Sequence, residues 1–475
     1  MFGIYLDRSS EISVTAQLCS QIRQKIEKGE LVKGTRLPST RKLAQEFGIA
    51  RNVAIDAYEQ LIAEGYLIGR TGSGTFVAEG IIAMASDMHG EAEPADMAGQ
   101  QHRSDPPDQE GIIHFLTGTP DLRSFPRKVW AKYLKNAAED SPGVLYDYGD
   151  IRGEEELRSE ISVYLHRTRG MRCSAGQIMI VSGSSEGLAL IAKALRPDYS
   201  SIYLENPTIE ITQHIFRQTE YRITPVEVDE SGMKLHEIAH FQDGHLMLLT
   251  PSHHFPSGSI LSIQRRQHAV RLAEKADSYI IEDDYDGDFR LKGVPIPPLY
   301  TLNPDRVIYV GTFSKTLAPG LRIGFLVLPR RLVSRFASVK EELNIRSPSI
   351  PQIALARFIR DGRLDRHIHK MKTIYRNRRN VLIEAVKRHF GDRAVIRGDE
   401  AGMHVLVEFP QGPFDVDWQR SIAYGVKIHC VEEYSLVKGS HSHQILLGYG
   451  NIREEEIETG IERLSRFVHD WKLRN

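Results

Sequence analysis

Cysteine is scarce. The 475 residues hold three, Cys19, Cys173 and Cys430, an odd number spread far apart. That leaves no disulfide framework and no CxxC metal pair, as suits a reducing cytosol. An excess of either charge is also missing: 61 Lys and Arg stand against 62 Asp and Glu, a formal net charge of −1. A chain with this balance can meet nucleic acid only through a local patch. No stretch approaches the ~18 consecutive apolar residues of a membrane span. The opening MFGIYLDRSS reaches Asp7 and Arg8 at once and so lacks the apolar core of a signal peptide. Internal repeats are missing too. What is present is ordinary globular composition, 41% hydrophobic and 26% charged. The length carries a soft prior of roughly two to four domains.

Residues 81–110 hold seven Asp or Glu, one Arg and three Pro, with no sustained apolar period after Ile82. They read as a flexible acidic linker between domains. The piece before it, 1–80, has helical spacing. Val14, Leu18, Ile22 and Ile26 form one stripe, with Gly29 as the stop. Ser39 is placed to cap a second helix carrying Leu43, Ala44 and Phe47 and ending at Gly48. A third helix follows, with Val53, Ala57, Leu61 and Ile62 expected to face inward and Gly65 as its stop. YLIGRTGSGTFVA then reads as strand, Gly-rich turn, strand. Three helices and a two-stranded wing make a small α+β winged helix-turn-helix.

The piece after the linker, 111–475, alternates apolar runs with helical patterns. QIMIVSG, SIYLEN, HLMLLTP, SYIIEDD and RVIYVGTFS are strand candidates, with SSEGLALIAKAL and SIQRRQHAVRLAEKA among the helices between them. This predicts an α/β domain with a largely parallel sheet. From about Arg363 a long charged helix leads into MHVLVEF, GVKIHCV and HQILLGYG, read as a smaller C-terminal α+β lobe.

On the first piece Arg36, Arg41, Lys42 and Arg51 cluster against only Glu46. Helix-turn-helix readers place the start of the second helix of the motif in the major groove, here Arg51 and Asn52. Arg suits a guanine edge and Asn an adenine edge or a phosphate. Arg41, near a helix start, suits phosphate. The wing tip Thr71-Gly72-Ser73-Gly74-Thr75 lets backbone approach the sugar-phosphate chain. A helical protein-interaction module with scattered surface Arg is the competing reading. Against it, RLPSTRKLAQEFGIARNVAIDAYEQLIAEGYLIGRTGSGTFV resembles the GntR-type winged-helix signature over nearly its whole length.

The second informative stretch is VGTFSKTLAPGLRIG. Lys315, at a strand end among small hydroxyl residues, could form a Schiff base with a carbonyl cofactor. Thr312, Ser314 and Arg322 would hold its phosphate. Upstream, IIEDDYDGDF supplies an Asp for a protonated pyridine nitrogen and a Tyr for the ring hydroxyl. SGSSEG (182–187) opens a helix after a strand, and its N–H groups can cradle phosphate. In this order and spacing the features point to pyridoxal phosphate. Mg²⁺ on Glu282, Asp283 and Asp284 is the rival for the acidic run, but leaves the lysine motif unexplained. His253–His254, His367/His369 and His441/His443 lie in separate segments without Cys or carboxylate patterns, and read as surface or core histidines rather than metal ligands.

Taken together, a GntR-type winged helix, a linker and an aminotransferase-like domain of fold type I resemble the MocR (GabR-like) family of bacterial transcriptional regulators. GTPDLRSFPRKVW, YGDIRG, SGSSEGL, TPSHHFPSG, EDDYDGDF and FSKTLAPGLRIG carry the resemblance through the large domain. It implies Lys315 as the Schiff-base lysine, Asp283 at the pyridine nitrogen and Tyr285 at the ring hydroxyl. It implies a phosphate held by Arg322, Thr312, Ser314, Ser184 and Ser185. It further implies a cytoplasmic, head-to-tail homodimer on double-stranded operator DNA, answering to pyridoxal phosphate itself or to a small amine, amino acid or dipeptide. An aminotransferase with an accessory DNA-binding domain is the alternative function. Three positions depart from the pattern: Ile209 where an aromatic often stacks near the cofactor, His254 in place of Gln, and Glu433 where a register through Tyr434 expects a carboxylate-binding Arg. An acid there would repel a substrate carboxylate.

Overall fold

The computed structural model describes residues 3–8, 10, 12–70, 73–79, 111–140, 143–238, 241–293, 296–412 and 416–474. The linker expected at 81–110 and the wing-tip residues Thr71 and Gly72 lie outside them. The chain divides into two compact units, Met1–Asp105 and Pro106–Asn475.

In the first unit, α1 (Val14–Glu27), α2 (Thr40–Phe47) and α3 (Arg51–Ala63) precede the antiparallel wing of β1 (Leu67–Arg70) and β2 (Gly74–Val77). Ser39 caps α2 by accepting from the Lys42 N–H, and left-handed Gly48 ends it. The core joins Leu18, Ile22 and Ile26 of α1 to Leu43 of α2 and to Ala57 and Leu61 of α3. On α3 the buried stripe is Ala54, Ala57, Tyr58 and Leu61, so the expected Val53 and Ile62 are displaced from it, and Ile62 is exposed. The Tyr58 hydroxyl donates to the Pro38 carbonyl at 2.9 Å. This anchor gives an aromatic with a polar tip the central position that a simple count of aliphatics assigns elsewhere.

The second unit opens with β3 (Ile113–His114), α4 (Arg127–Asp140) and α5 (Glu155–Arg169). Its large lobe then runs β4 (Ile178–Val181), α6 (Ser184–Leu195), β5 (Ser201–Asn206), α7 (Glu210–Gln218), β6 (Arg222–Asp229), β7 (Gly232–Met233), β8 (His245–Leu249), α8 (Ile263–Lys275), β9 (Ile280–Asp284), β10 (Val307–Thr312) and β11 (Gly324–Val327). These strands form one sheet in the order β4-β11-β10-β9-β8-β5-β6-β7. Pairing is parallel from β10 through β6, while β11 runs antiparallel to both β10 and β4. All five strands expected from apolar runs are present. Three that were not expected are β6, whose Pro225 weakens a strand reading, the two-residue β7, and β11, which hides behind the lysine motif. Core side chains fill both faces of the sheet.

Helices α9 (Val333–Glu342), α10 (Ser349–Arg360) and α11 (Arg363–Phe390) lead to the small lobe of β12 (Val395–Arg397), β13 (His404–Glu408), β14 (Val426–Lys427), β15 (His429–Cys430), β16 (Gln444–Gly448) and α12 (Glu454–Arg474). Its antiparallel sheet has the order β12-β13-β16-β15. The expected strand GVKIHCV splits in two: β14 pairs parallel with β3, and β15 joins the sheet. The lobes touch backbone to backbone at Gly258 and Gly398, both at positive φ, where a Cβ on Gly258 would sit 2.3 Å from the Gly398 Cα.

Candidate functional site

Lys315 follows the C-terminal end of β10, where side chains of a parallel sheet open onto a crevice. Its Nζ donates to the Gly118 carbonyl at 2.6 Å, so the GTPD segment near the start of the second unit positions the lysine. Burial lowers its pKa, and the carboxylates of Asp286 and Asp283 offset part of that. Asp283, on neighbouring β9, is fully enclosed. Burial first, then the nearby charge of Asp286, pushes its carboxyl up to about 7. Its Oδ1 has no hydrogen-bond partner. A buried acid left unpaired in this way is costly unless a ligand completes it. Tyr285 is buried beside it, with its phenol pushed well above 10 by burial and by Asp286 and Asp283.

The phosphate candidates gather at the start of α6. Ser184 and Ser185 are its first two residues, behind Gly183 at φ 108°. A Cβ on Gly183 would press on the Arg322 guanidinium at 3.2 Å, so the glycine lets that side chain reach the helix N-terminus. Arg322 itself holds a left-handed conformation, φ 50°, the kind of local strain found at ligand sites. Thr312 donates to Ser314 Oγ at 3.0 Å and accepts from the Ser314 N–H at 3.1 Å. Hydroxyls and a guanidinium thus stand near a helix N-terminus, where partial positive charge favours an anion.

The acidic run does not converge as a metal site would require. Glu282 accepts from the backbone N–H groups of Leu299 and Tyr300 at 2.7 and 2.8 Å. Asp284 pairs with buried Arg169 and accepts from the Tyr309 hydroxyl at 2.6 Å. The period of β9 turns Asp283 the other way. Among the described residues no group of three or more His, Cys, Asp or Glu is placed to hold a metal ion. Two side chains at the site escaped the sequence reading. Asp286 Oδ2 lies 2.8 Å from His253 Nδ1, which in turn is 3.3 Å from the Tyr285 hydroxyl. Only tertiary folding joins PSHH to EDDYD. His254 is held neutral, its pKa pushed down to about 3 by burial, and lies 3.5 Å from Glu205, itself raised by burial to about 8.

Ile209 packs, with Tyr434, on a small apolar cluster formed by Tyr285, Phe255, Leu406, Val431 and Leu446. Glu433 is not part of that cluster. It accepts from the Cys430 N–H at 3.3 Å and lies 3.2 Å from His429, with its side chain 43% exposed. The apolar wall beside Tyr285 comes instead from Val431 and from Leu446 of β16, which the Tyr434 register could not identify.

In the first unit, Arg36, Arg41, Arg51, Asn52, Ser73 and Gly74 are all exposed. Arg51 and Asn52 open α3, whose Ala50 N-cap supplies no side-chain acceptor and whose first turn holds no acid. The helix start therefore keeps its positive end open to an anion. The Arg36 guanidinium lies against Gly74 of the wing. Arg70, which the sequence reading passed over, stacks on Phe76 of the wing at 5.2 Å.

The geometry defines a class: a winged helix-turn-helix joined to an aminotransferase-like domain. Residues 15–77 match the family described as "Bacterial regulatory proteins, gntR family", and residues 111–464 match "Aminotransferase class I and II". The chain is 33% identical to the "Uncharacterized HTH-type transcriptional regulator YdeL" of Bacillus subtilis, over 99% of each chain. It is 32% identical to the "Probable rhizopine catabolism regulatory protein MocR" of Rhizobium meliloti, over 97% of this chain and 95% of the relative. Its fold matches the kynurenine aminotransferase of Pyrococcus horikoshii, solved with PMP, at TM-score 0.69 and 26% identity, over 76% of this chain and 92% of that one. The chain belongs to the GntR/MocR-type transcriptional regulators with an aminotransferase class I and II domain. The cofactor of that domain is pyridoxal phosphate.

Proposed function

We propose that this protein binds operator DNA through its winged helix and senses pyridoxal phosphate, or an amine-bearing effector that reacts with it, through its second unit. The observation that carries the reading is the buried, partnerless Asp283 Oδ1 in a site shared with Lys315 and Tyr285, within a chain that also presents exposed Arg51 and Asn52 at an open helix start. These residues fit the cofactor. Asp283 would hold the protonated pyridine nitrogen, and Tyr285 would donate to the ring oxygen. Arg322, Thr312, Ser314, Ser184 and Ser185 would hold the phosphate. Lys315, freed from Gly118, would supply the amine for covalent attachment. When bound, pyridoxal phosphate supplies an electrophilic carbonyl carbon that can pass between amines.

Arg51 and Asn52 read base edges, Arg41 contacts phosphate, and Arg36 with the wing from Thr71 to Gly74 contacts the adjoining backbone. The working form is a head-to-tail homodimer in the cytoplasm. Occupancy can change operator choice only if ligand binds one arrangement of the lobes more tightly than another. The rival reading, an aminotransferase with an accessory DNA-binding domain, draws support from the full cofactor constellation. One experiment separates them. Purified protein is loaded with pyridoxal phosphate, its absorbance is followed as amines are added, and bound duplexes are selected from a random pool. The regulator reading expects an absorbance band lost in Lys315→Ala and a selected sequence whose affinity falls in Arg51→Ala. Steady release of keto acid with no selected sequence would overturn it.

A further inference from the structure

The cluster beside Tyr285 is also one wall of a larger space. Leu406 and Val431 line a cavity of about 610 Å³ between the two lobes. Pro207, two residues from Ile209, and Ser257, whose hydroxyl lies 2.7 Å from His254 Nδ1, line it as well. The cavity therefore backs directly onto the wall of the cofactor site.

Its lining is rich in carboxylates, each of them paired. Asp229, Glu230, Asp399, Glu400 and Glu408 line it, against Arg397. The Arg397 fork is already taken, by Glu408 and by Glu230, both at 2.7 Å. The cations serving the other carboxylates, Arg265, Arg290 and Lys292, are held in pairs with Asp229, Glu400 and Asp399. His441 is engaged by Gln444 at 2.9 Å and lies 4.0 Å from Glu227. Nearer Tyr285, His254 and His404 are kept neutral by burial, each pushed down to about 3. Among the described residues, each Arg and Lys named along this wall and cavity already holds a carboxylate, while Nε and Nη1 of Arg290 and Nε2 of His441 have no hydrogen-bond partner. An anion entering here gives up water and has to compete with the carboxylates that these cations already hold.

We infer that the effector of this protein is a primary amine with an apolar body and no carboxylate, its amine directed to Lys315 and its body lying along the apolar wall of Leu406, Val431 and Leu446 beside Tyr285. The inference rests on the sensing function proposed above and narrows the ligand it accepts. Amino acids, which present a carboxylate next to the reacting amine, are poor ligands for such a wall.

The test uses the full-length protein loaded with pyridoxal phosphate and ligands matched in shape. Isoamylamine is compared with L-leucine and phenethylamine with L-phenylalanine, each by the concentration that half-changes the absorbance of the lysine-bound cofactor. The same ratios measured with free pyridoxal phosphate correct for the basicity of each amine. The expected result is at least a tenfold preference for the amine over its amino acid after that correction. In a series from ethylamine to hexylamine, affinity should rise about fourfold per methylene laid on the apolar wall. Equal or better response to the amino acids, a series flat in chain length, or no response to any of these amines would each overturn the inference. The sensing function would be lost separately, by a protein whose cofactor absorbance is the same in wild type and Lys315→Ala.

Discussion

Replacing Asp283 with Asn should make the cofactor-free protein more stable above neutral pH while loosening its hold on pyridoxal phosphate. The carboxyl rises from an ordinary value of 3.8 to about 7, mainly through burial. Between those two values the folded protein holds a proton that the unfolded chain has released. Stability therefore falls as pH rises through this window, and stays low above it. At 1.36 kcal/mol per tenfold change, the loss by pH 8 amounts to roughly 4 kcal/mol. The carboxamide has nearly the same shape and no charge to desolvate. Its advantage should be near zero at pH 4 and approach that figure at pH 8. Chemical denaturation of cofactor-free wild type and variant across pH 4–8 measures the difference directly. Glu205, raised to about 8 mainly by burial, titrates in both proteins, and in the variant it loses the part of that rise due to the Asp283 charge. With cofactor added the order should reverse, because the carboxylate gains its cation and the amide does not. A stability difference that does not change between pH 4 and 8 would show that Asp283 is not buried uncompensated, and the argument for its role would go with it.

Arg51→Ala should cost about 1–3 kcal/mol of operator affinity if the side chain reads a base edge, or lower the slope of log affinity against log salt by about 1 if it holds phosphate; binding isotherms at several salt concentrations tell the two apart. Gly183→Ala forces a side chain into φ 108° and against the Arg322 guanidinium, so cofactor affinity measured by fluorescence should fall about tenfold or more, from strain of order 1–3 kcal/mol. Arg169→Leu strands the buried Asp284 carboxylate, whose other partner is the Tyr309 hydroxyl; a loss of about 3–5 kcal/mol is expected in denaturant titration, and an unchanged midpoint would mean the pair is not buried in solution.

Legibility in the sequence followed the range of the interactions involved. Lys315, Thr312 and Ser314 sit within four residues of one another at a strand end, so local pattern carried them. The capping of α2 by Ser39 and its stop at Gly48 were readable for the same reason. The E-D-D run was recognisable, but not its division of labour, because Arg169, Leu299 and Tyr309 come from distant segments. Asp286 and His253 were invisible on the same ground. On α3 the apolar count favoured Val53 and Ile62, while the helix turned Ala54 and Tyr58 inward. The side chains of α1 and α2, not the composition of α3, decide which face is buried. In the small lobe no anchor motif fixes the register, and Glu433 stood where Val431 and Leu446 form the wall.

The contact of Gly258 with Gly398 makes the two lobes meet at a bare fulcrum, with main chain on both sides and nothing to compress. Both glycines also line the interlobe cavity. A methyl group at either one would act as a wedge and hold the mouth ajar whatever the ligand. On the sensing function proposed above, a single-atom lever of this kind would give a variant locked in one arrangement of the lobes, with Lys315, Asp283 and the DNA-facing residues unchanged.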